Sequence, residues 1–305
     1  MAVTRYGRLA DRLGGGHIPD QLNLGTTMLS DTQKVQFRNN GFLVLENLFS
    51  TSEIGSVRSA ALDIVADFDV SKHRTVFTTS DRDSGRDDYF FDSAEAVHCF
   101  LEEGALDDNG ELNRPKELAV NKIGHAMHDL VPEFFEFCRL PVIGEVLRDI
   151  GYSAPQLWQT MYIFKQPGIG GEVRWHQDAS YLISGKPGVT GIWIAIEDAT
   201  RDNGCLWMQP GQHRTPLREI YEVDWTTRTG TLKPLDDTPW VTGEPVPLEV
   251  AAGSAVIFND HMPHYSSQNT SDSSRHAFTL HVSERDSPWP EENWIQRPRL
   301  GSFEL

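Results

Sequence analysis

The chain has 305 residues and a formal net charge of −17, and 39% of its residues are hydrophobic and 23% charged. That is the make-up of an ordinary globular protein, long enough to bury a substantial core. The acidic balance repels phosphate backbones, which excludes nucleic acid as the main partner and weighs against a polyphosphorylated ligand such as a coenzyme A ester.

Residues 1–30 are read as an N-terminal arm and 31–305 as a single domain, with a helical part over 31–150 and a β-rich core over 151–296. Asp31 to Asn40 is expected to be a short helix, capped by Asp31 and closed by Gly41. Phe42-Leu43-Val44-Leu45 follows as a strand. Ser50-Thr51-Ser52-Glu53 is a capping box, and Ile54, Val57, Ala61, Ile64, Val65 and Phe68 recur behind it at helical spacing. Ser80 to Asp88 is a polar loop inside a stretch, residues 80–115, that reads as a solvated insert or a substrate lid. From Lys116 to Phe137 the apolar residues Leu118, Ile123, Met127, Leu130 and Phe134 predict a helix, which would carry Lys122, His125 and His128. Pro141 opens a further helix that Gly151 closes.

Beyond Gly151 the texture changes. Leu157 to Phe164, Gly191 to Ile196, Leu206 to Met208, Val246 to Val250, Ala255 to Phe258 and Ala277 to Val282 are short β-rich runs separated by turn residues. Thr226 to Glu244 reads as a polar, turn-rich insertion. Helices first and short strands afterwards give an α+β, mainly β domain, a sandwich or barrel with helices packed on an outer face. The three cysteines, Cys99, Cys138 and Cys205, fit no zinc spacing and read as buried side chains in a reducing compartment. No secretory signal, spanning segment or Ser-Lys-Leu terminus is evident, so a cytoplasmic location is expected.

The chemistry centres on His176-Gln177-Asp178. On an extended chain, alternate residues share a face, so His176 and Asp178 can reach one cation. Two histidines and one carboxylate bound facially leave three open positions, the arrangement of non-haem Fe(II) oxygenases. The distal ligand should come from a later strand. His264 is the better candidate and His261 the second, because Arg275 follows His264 by eleven positions (275 − 264). That spacing matches a 2-oxoglutarate oxygenase site in which a planar guanidinium grips the far carboxylate of the cosubstrate.

Longer blocks carry a resemblance. Asn121-Lys122-Ile123-Gly124-His125-Ala126, Met161-Tyr162-Ile163-Phe164-Lys165-Gln166-Pro167, Gly171-Glu172-Val173, His176-Gln177-Asp178-Ala179-Ser180, Asn203-Gly204-Cys205-Leu206-Trp207 and Glu292-Asn293-Trp294 are similar to the phytanoyl-CoA dioxygenase family, over roughly residues 31 to 296. The resemblance implies a double-stranded β-helix, or jelly roll, that uses Fe(II), 2-oxoglutarate and dioxygen. It assigns His176, Asp178 and His264 to iron and Arg275 to the cosubstrate, with Lys122, Met161 and Trp193 lining the cosubstrate pocket. The expected activity is hydroxylation, or another oxidation, of an unactivated C–H bond in an apolar small molecule such as a lipid, polyketide or specialised metabolite. Self-association into a homo-oligomer is left open. The competing expectation is a non-catalytic, cupin-like module that binds a metal or ligand.

Overall fold

Helix α1 (Asp31–Asn40) is capped by Ser30 rather than by Asp31. The Ser30 hydroxyl accepts from the Gln33 amide at 3.3 Å, and the Gln33 side chain accepts from the Ser30 amide at 2.9 Å. Gly41 closes the helix at φ 82°, and a Cβ there would fall 2.3 Å from Nδ1 of His213, so glycine answers two demands. Strand β1 (Phe42–Leu45) leads to helix α2 (Thr51–Asp67), where the Ser50/Glu53 capping box forms as expected and Ile54, Val57, Ala60, Ala61 and Val65 are buried. The computed structural model describes residues 27–78 and 87–305, so most of the polar loop expected at Ser80–Asp88 and of the arm expected at 1–30 lies outside the described residues.

Helix α3 (Asp88–Asp92) is followed by strand β2 (Val97–Leu101), strand β3 (Val120–His125) and the short helices α4 (Met127–Leu130), α5 (Pro132–Cys138) and α6 (Pro141–Asp149). This corrects the single helix expected over Lys116 to Phe137. Residues 120–125 pair with β2 on one side and with strand β4 (Pro155–Lys165) on the other, and that tertiary pairing overrides the helical spacing. Lys122 therefore lies on a strand, His125 at its end, and His128 in α4.

The remaining strands are β5 (Val173–His176), β6 (Thr190–Ala195), β7 (Leu206–Met208), β8 (Glu219–Asp224), β9 (Thr229–Pro234), β10 (Val246–Leu248), β11 (Ala255–Asn259), β12 (His264–Ser266), β13 (Arg275–Glu284) and β14 (Phe303–Glu304). Part of the insertion expected over Thr226 to Glu244 is thus the second strand of a β8–β9 hairpin.

Eight strands form one sheet in the order β1-β11-β6-β13-β4-β3-β2, with β14 also on β4; a second sheet runs β10-β7-β12-β5. All of these ladders are antiparallel. The larger sheet draws β1, β2 and β3 from the region read as helical, and β14 from beyond residue 296. Each strand of it presents two faces. On the outer face Ile123, Leu157, Tyr162, Phe164, Ile192, Ile194, Ile257, Phe278 and Leu280 pack with residues of α2, α5 and α6 in the largest core cluster. Each such aliphatic or aromatic side chain contributes about 1.5–3 kcal/mol by leaving water. The inner face carries Phe42, Trp193, Ala195, Val256, Phe258 and Ala277, which meet Leu206, Met208 and Leu248 of the smaller sheet. The result is a jelly roll backed by helices. The cysteines are unpaired and buried, as expected.

Candidate metal centre

His176 and His264 face each other as directly paired residues of β5 and β12, which brings their ring centroids to 4.1 Å. Each ring is fixed from behind. Nδ1 of His176 donates to the Arg174 carbonyl at 2.8 Å, and Nδ1 of His264 donates to the Met262 carbonyl at 3.0 Å. A carbonyl can only accept, so both Nδ1 atoms carry a proton and Nε2 is the ring nitrogen each histidine turns to the trio. Asp178 sits in the turn immediately after β5, and its Oδ1 lies 3.8 Å from Nε2 of His176 and 3.7 Å from Nε2 of His264. Among the described residues this trio has its ligating atoms within 4.8 Å of one another, a separation that one cation can span.

The residue between His176 and Asp178 points the other way. Gln177, fully buried, donates to the His261 carbonyl at 2.8 Å and accepts from the Arg218 amide at 3.1 Å. His261, the second candidate, thus contributes its backbone here and stands outside the trio. Trp175 also points away. It stacks on Tyr265, the neighbour of His264 in sequence, with ring centroids 5.3 Å apart, so both aromatics lie on the far face of the smaller sheet rather than beside the trio. His213 packs against Gly41 at the end of α1.

The charges suit a cation. Burial opposes ionisation of Asp178, but the surrounding imidazoles, His281 foremost, outweigh it and hold the carboxyl well below the usual range. Burial, reinforced by His264, pulls His176 down to about 4, so its ring is neutral at physiological pH.

His281 was not singled out in the sequence. Its Nε2 lies 3.2 Å from Oδ2 of Asp178. The signal was available: Arg275, Ala277, Thr279 and His281 alternate along β13, so His281 shares the inner face with Arg275.

Arg275 is 2% exposed, and its Nε and Nη1 have no hydrogen-bond partner among the described residues. Its guanidinium carbon is 5.3 Å from the Trp193 ring centroid, although Trp193 stands opposite Thr279, further along β13. The two side chains therefore lean toward one another along the inner face. Burial draws Arg275 down to about 10, and it keeps its charge at neutral pH. Lys165, directly across from Arg275 on β4, donates to the carbonyls of Gly171 at 2.7 Å and Ser267 at 2.6 Å. Lys122 is 4% exposed. Its Nζ lies 3.9 Å from Sδ of Met161 and 3.3 Å from the Phe77 ring centroid. The structure thus gathers Lys122, Met161, Trp193 and Arg275 on one face of the larger sheet, the face turned toward the smaller sheet that carries His176 and His264.

A family model described as "Phytanoyl-CoA dioxygenase (PhyH)" matches residues 37–277. The chain belongs to the phytanoyl-CoA dioxygenase family. It is 38% identical over 288 residues to a phytanoyl-CoA dioxygenase of Arabidopsis thaliana, covering 94% of this chain and 96% of that one. It is 40% identical over 285 residues to phytanoyl-CoA dioxygenase domain-containing protein 1 of Danio rerio, covering 88% and 95%. Among solved structures, the non-heme alpha ketoglutarate dependent carbocyclase SnoK from nogalamycin biosynthesis superposes with a TM-score of 0.63 at 18% identity, over 91% of this chain and 97% of that one. That likeness is one of fold. Family membership makes this chain a 2-oxoglutarate-dependent non-haem iron dioxygenase, with Fe(II) and 2-oxoglutarate as its cofactor and cosubstrate.

Proposed function

We propose that the chain hydroxylates an unactivated C–H bond of an apolar small molecule, with His176, Asp178 and His264 holding Fe(II) and Arg275 holding the far carboxylate of 2-oxoglutarate. The observation that carries this reading is Arg275, a buried, charged guanidinium with two nitrogens unpartnered among the described residues, on the face that looks toward the trio. A buried cation without an anion is costly, and a planar fork matches a carboxylate. The donor set fits as well: two imidazole nitrogens and one carboxylate oxygen would suit a divalent first-row metal and would leave positions for a bidentate cosubstrate.

When bound, iron and 2-oxoglutarate supply the oxidising power, as decarboxylation of the cosubstrate to succinate accompanies reduction of dioxygen. The protein's share is placement and exclusion of water. Trp193 lies against the Arg275 guanidinium and screens the carboxylate site, while Met161 and Lys122 close the same pocket from β4 and β3. An aromatic cluster supports an apolar substrate. Tyr181 stands edge-on to His176 with ring centroids 6.3 Å apart, and it packs against an apolar cluster that includes Tyr221, Leu182, Phe100 and Trp294. Such a wall holds a hydrocarbon and keeps water from the reacting carbon. The relatives are named for a coenzyme A thioester, but a net charge of −17 weighs against a ligand carrying several phosphates.

The test is anaerobic addition of Fe(II) and 2-oxoglutarate, expected to produce a visible charge-transfer band, with slow release of succinate once air is admitted. Asp178→Ala should lose both; a variant that releases succinate at the parent rate would overturn the assignment. Incubation with an apolar metabolite extract should then reveal which masses gain one oxygen.

A further inference from the structure

We infer that His281, held by Gln159, is a positioning residue that turns the Asp178 carboxylate so that Oδ1 alone faces the metal. Resting on the metal-ligand reading above, the argument starts from the two oxygens of Asp178, which have different surroundings. Oδ1 points at the two imidazoles of the trio, 3.8 Å and 3.7 Å away. Oδ2 is turned to His281 Nε2 at 3.2 Å. On the other side of the His281 ring, the Gln159 amide nitrogen lies 3.1 Å from Nδ1. An amide NH2 only donates, so Nδ1 accepts and the ring N–H lies on Nε2, aimed at Oδ2. The chain from Gln159 to His281 to Asp178 is 5%, 5% and 7% exposed along its length, so water does not compete for these bonds.

The floor beneath the carboxylate is shaped to match. Gly191 pairs with His281 across β6 and β13, and a Cβ at Gly191 would fall 3.1 Å from Oδ2 of Asp178 and 2.6 Å from the Phe258 ring. The missing side chain gives Oδ2 the room to lie back toward His281. A carboxylate free to rotate could offer both oxygens to one cation and occupy a position the cosubstrate needs. A donor fixed on Oδ2 removes that option, and partners of this kind set metal affinity through the ligand they orient.

The test compares cobalt(II) binding, by calorimetry and visible absorption, in the intact protein and in His281→Phe, His281→Gln and Gln159→Leu. His281→Phe keeps the ring volume without the donor and should weaken cobalt binding about 10–100-fold and shift the absorption band. His281→Gln, whose amide nitrogen can replace Nε2–H, should restore most of the affinity and the parent band. Gln159→Leu leaves the tautomer unset and should fall between the parent and His281→Phe, which keeps the test alive should the phenylalanine variant not fold. A Phe variant with parent affinity and spectrum overturns the inference alone, as does a Gln variant no better than Phe, since packing would then be the cause. If the parent takes up no cobalt, or holds it equally well after Asp178→Ala, the metal-site reading fails and this inference with it.

Discussion

Arg275 is buried with Nε and Nη1 unsatisfied among the described residues, a condition that costs the fold until an anion arrives. Replacing a buried, unpaired charge by an apolar side chain of similar volume is neutral or stabilising. Arg275→Met should therefore melt at or above the temperature of the parent without ligands, while losing about 2–5 kcal/mol of 2-oxoglutarate binding. Thermal melts with and without the cosubstrate decide it: the parent should rise on ligand addition and the variant should not. Lys165 lends itself to a pH argument. Burial, with Arg275 as the next cause, draws its amine down from 10.5 to about 6. Between those values the unfolded chain binds the proton and the folded chain does not, so this group makes stability rise as pH climbs through that window. Lys165→Met should flatten the rise in urea midpoint between pH 6 and 10; parallel curves for variant and parent would refute it. The slope is the readout because the variant also strips donors from the Gly171 and Ser267 carbonyls. At this scale the sequence was informative about His176, Asp178, His264 and Arg275, whose types and order suggested the proposed site. It was silent on Gln159 and His281, which matter only through a neighbour.

Element by element, legibility followed length and apolar content. Strands β4, β6, β11 and β13 stood out because both faces are largely buried and each carries several apolar residues in a short span. Strands β5 and β12, of four and three residues, carry the histidines instead of an apolar run and left no periodic trace. Strand β3 misled for the opposite reason, since Ile123 continued a helical spacing that pairing with β2 and β4 overrules. The two faces of the larger sheet should respond differently to substitution. Gly191→Ala intrudes on Phe258 and Asp178 from the inner face, and overpacking there should cost about 1–3 kcal/mol together with metal affinity. Ser50→Ala removes a cap from α2 behind the outer face and should cost about 1 kcal/mol with metal affinity unchanged. Paired melts and cobalt titrations check this; equal effects on affinity would mean the faces are not mechanically separate.

For the whole molecule, the separation of core from site makes a prediction about metal removal. The candidate ligands come from positions 176, 178 and 264, and the guanidinium from 275; their local spacings point to a site, but bringing the distant pieces together follows from stacking one antiparallel sheet on the other. The largest apolar cluster, by contrast, lies between the helices and the outer face of the larger sheet and contains none of the trio. Its stability should not depend on a cation, unlike that of a small domain whose ligands are most of its core. The protein stripped with a chelator should keep its far-ultraviolet circular dichroism and unfold in one cooperative step. Re-addition of metal should raise stability only as mass action allows, about 2.7 kcal/mol at a free concentration one hundred times the dissociation constant. Loss of the cooperative transition on chelation would show instead that the smaller sheet, which places His176 opposite His264, cannot hold its register without the ion, and that the two layers fold as one with it.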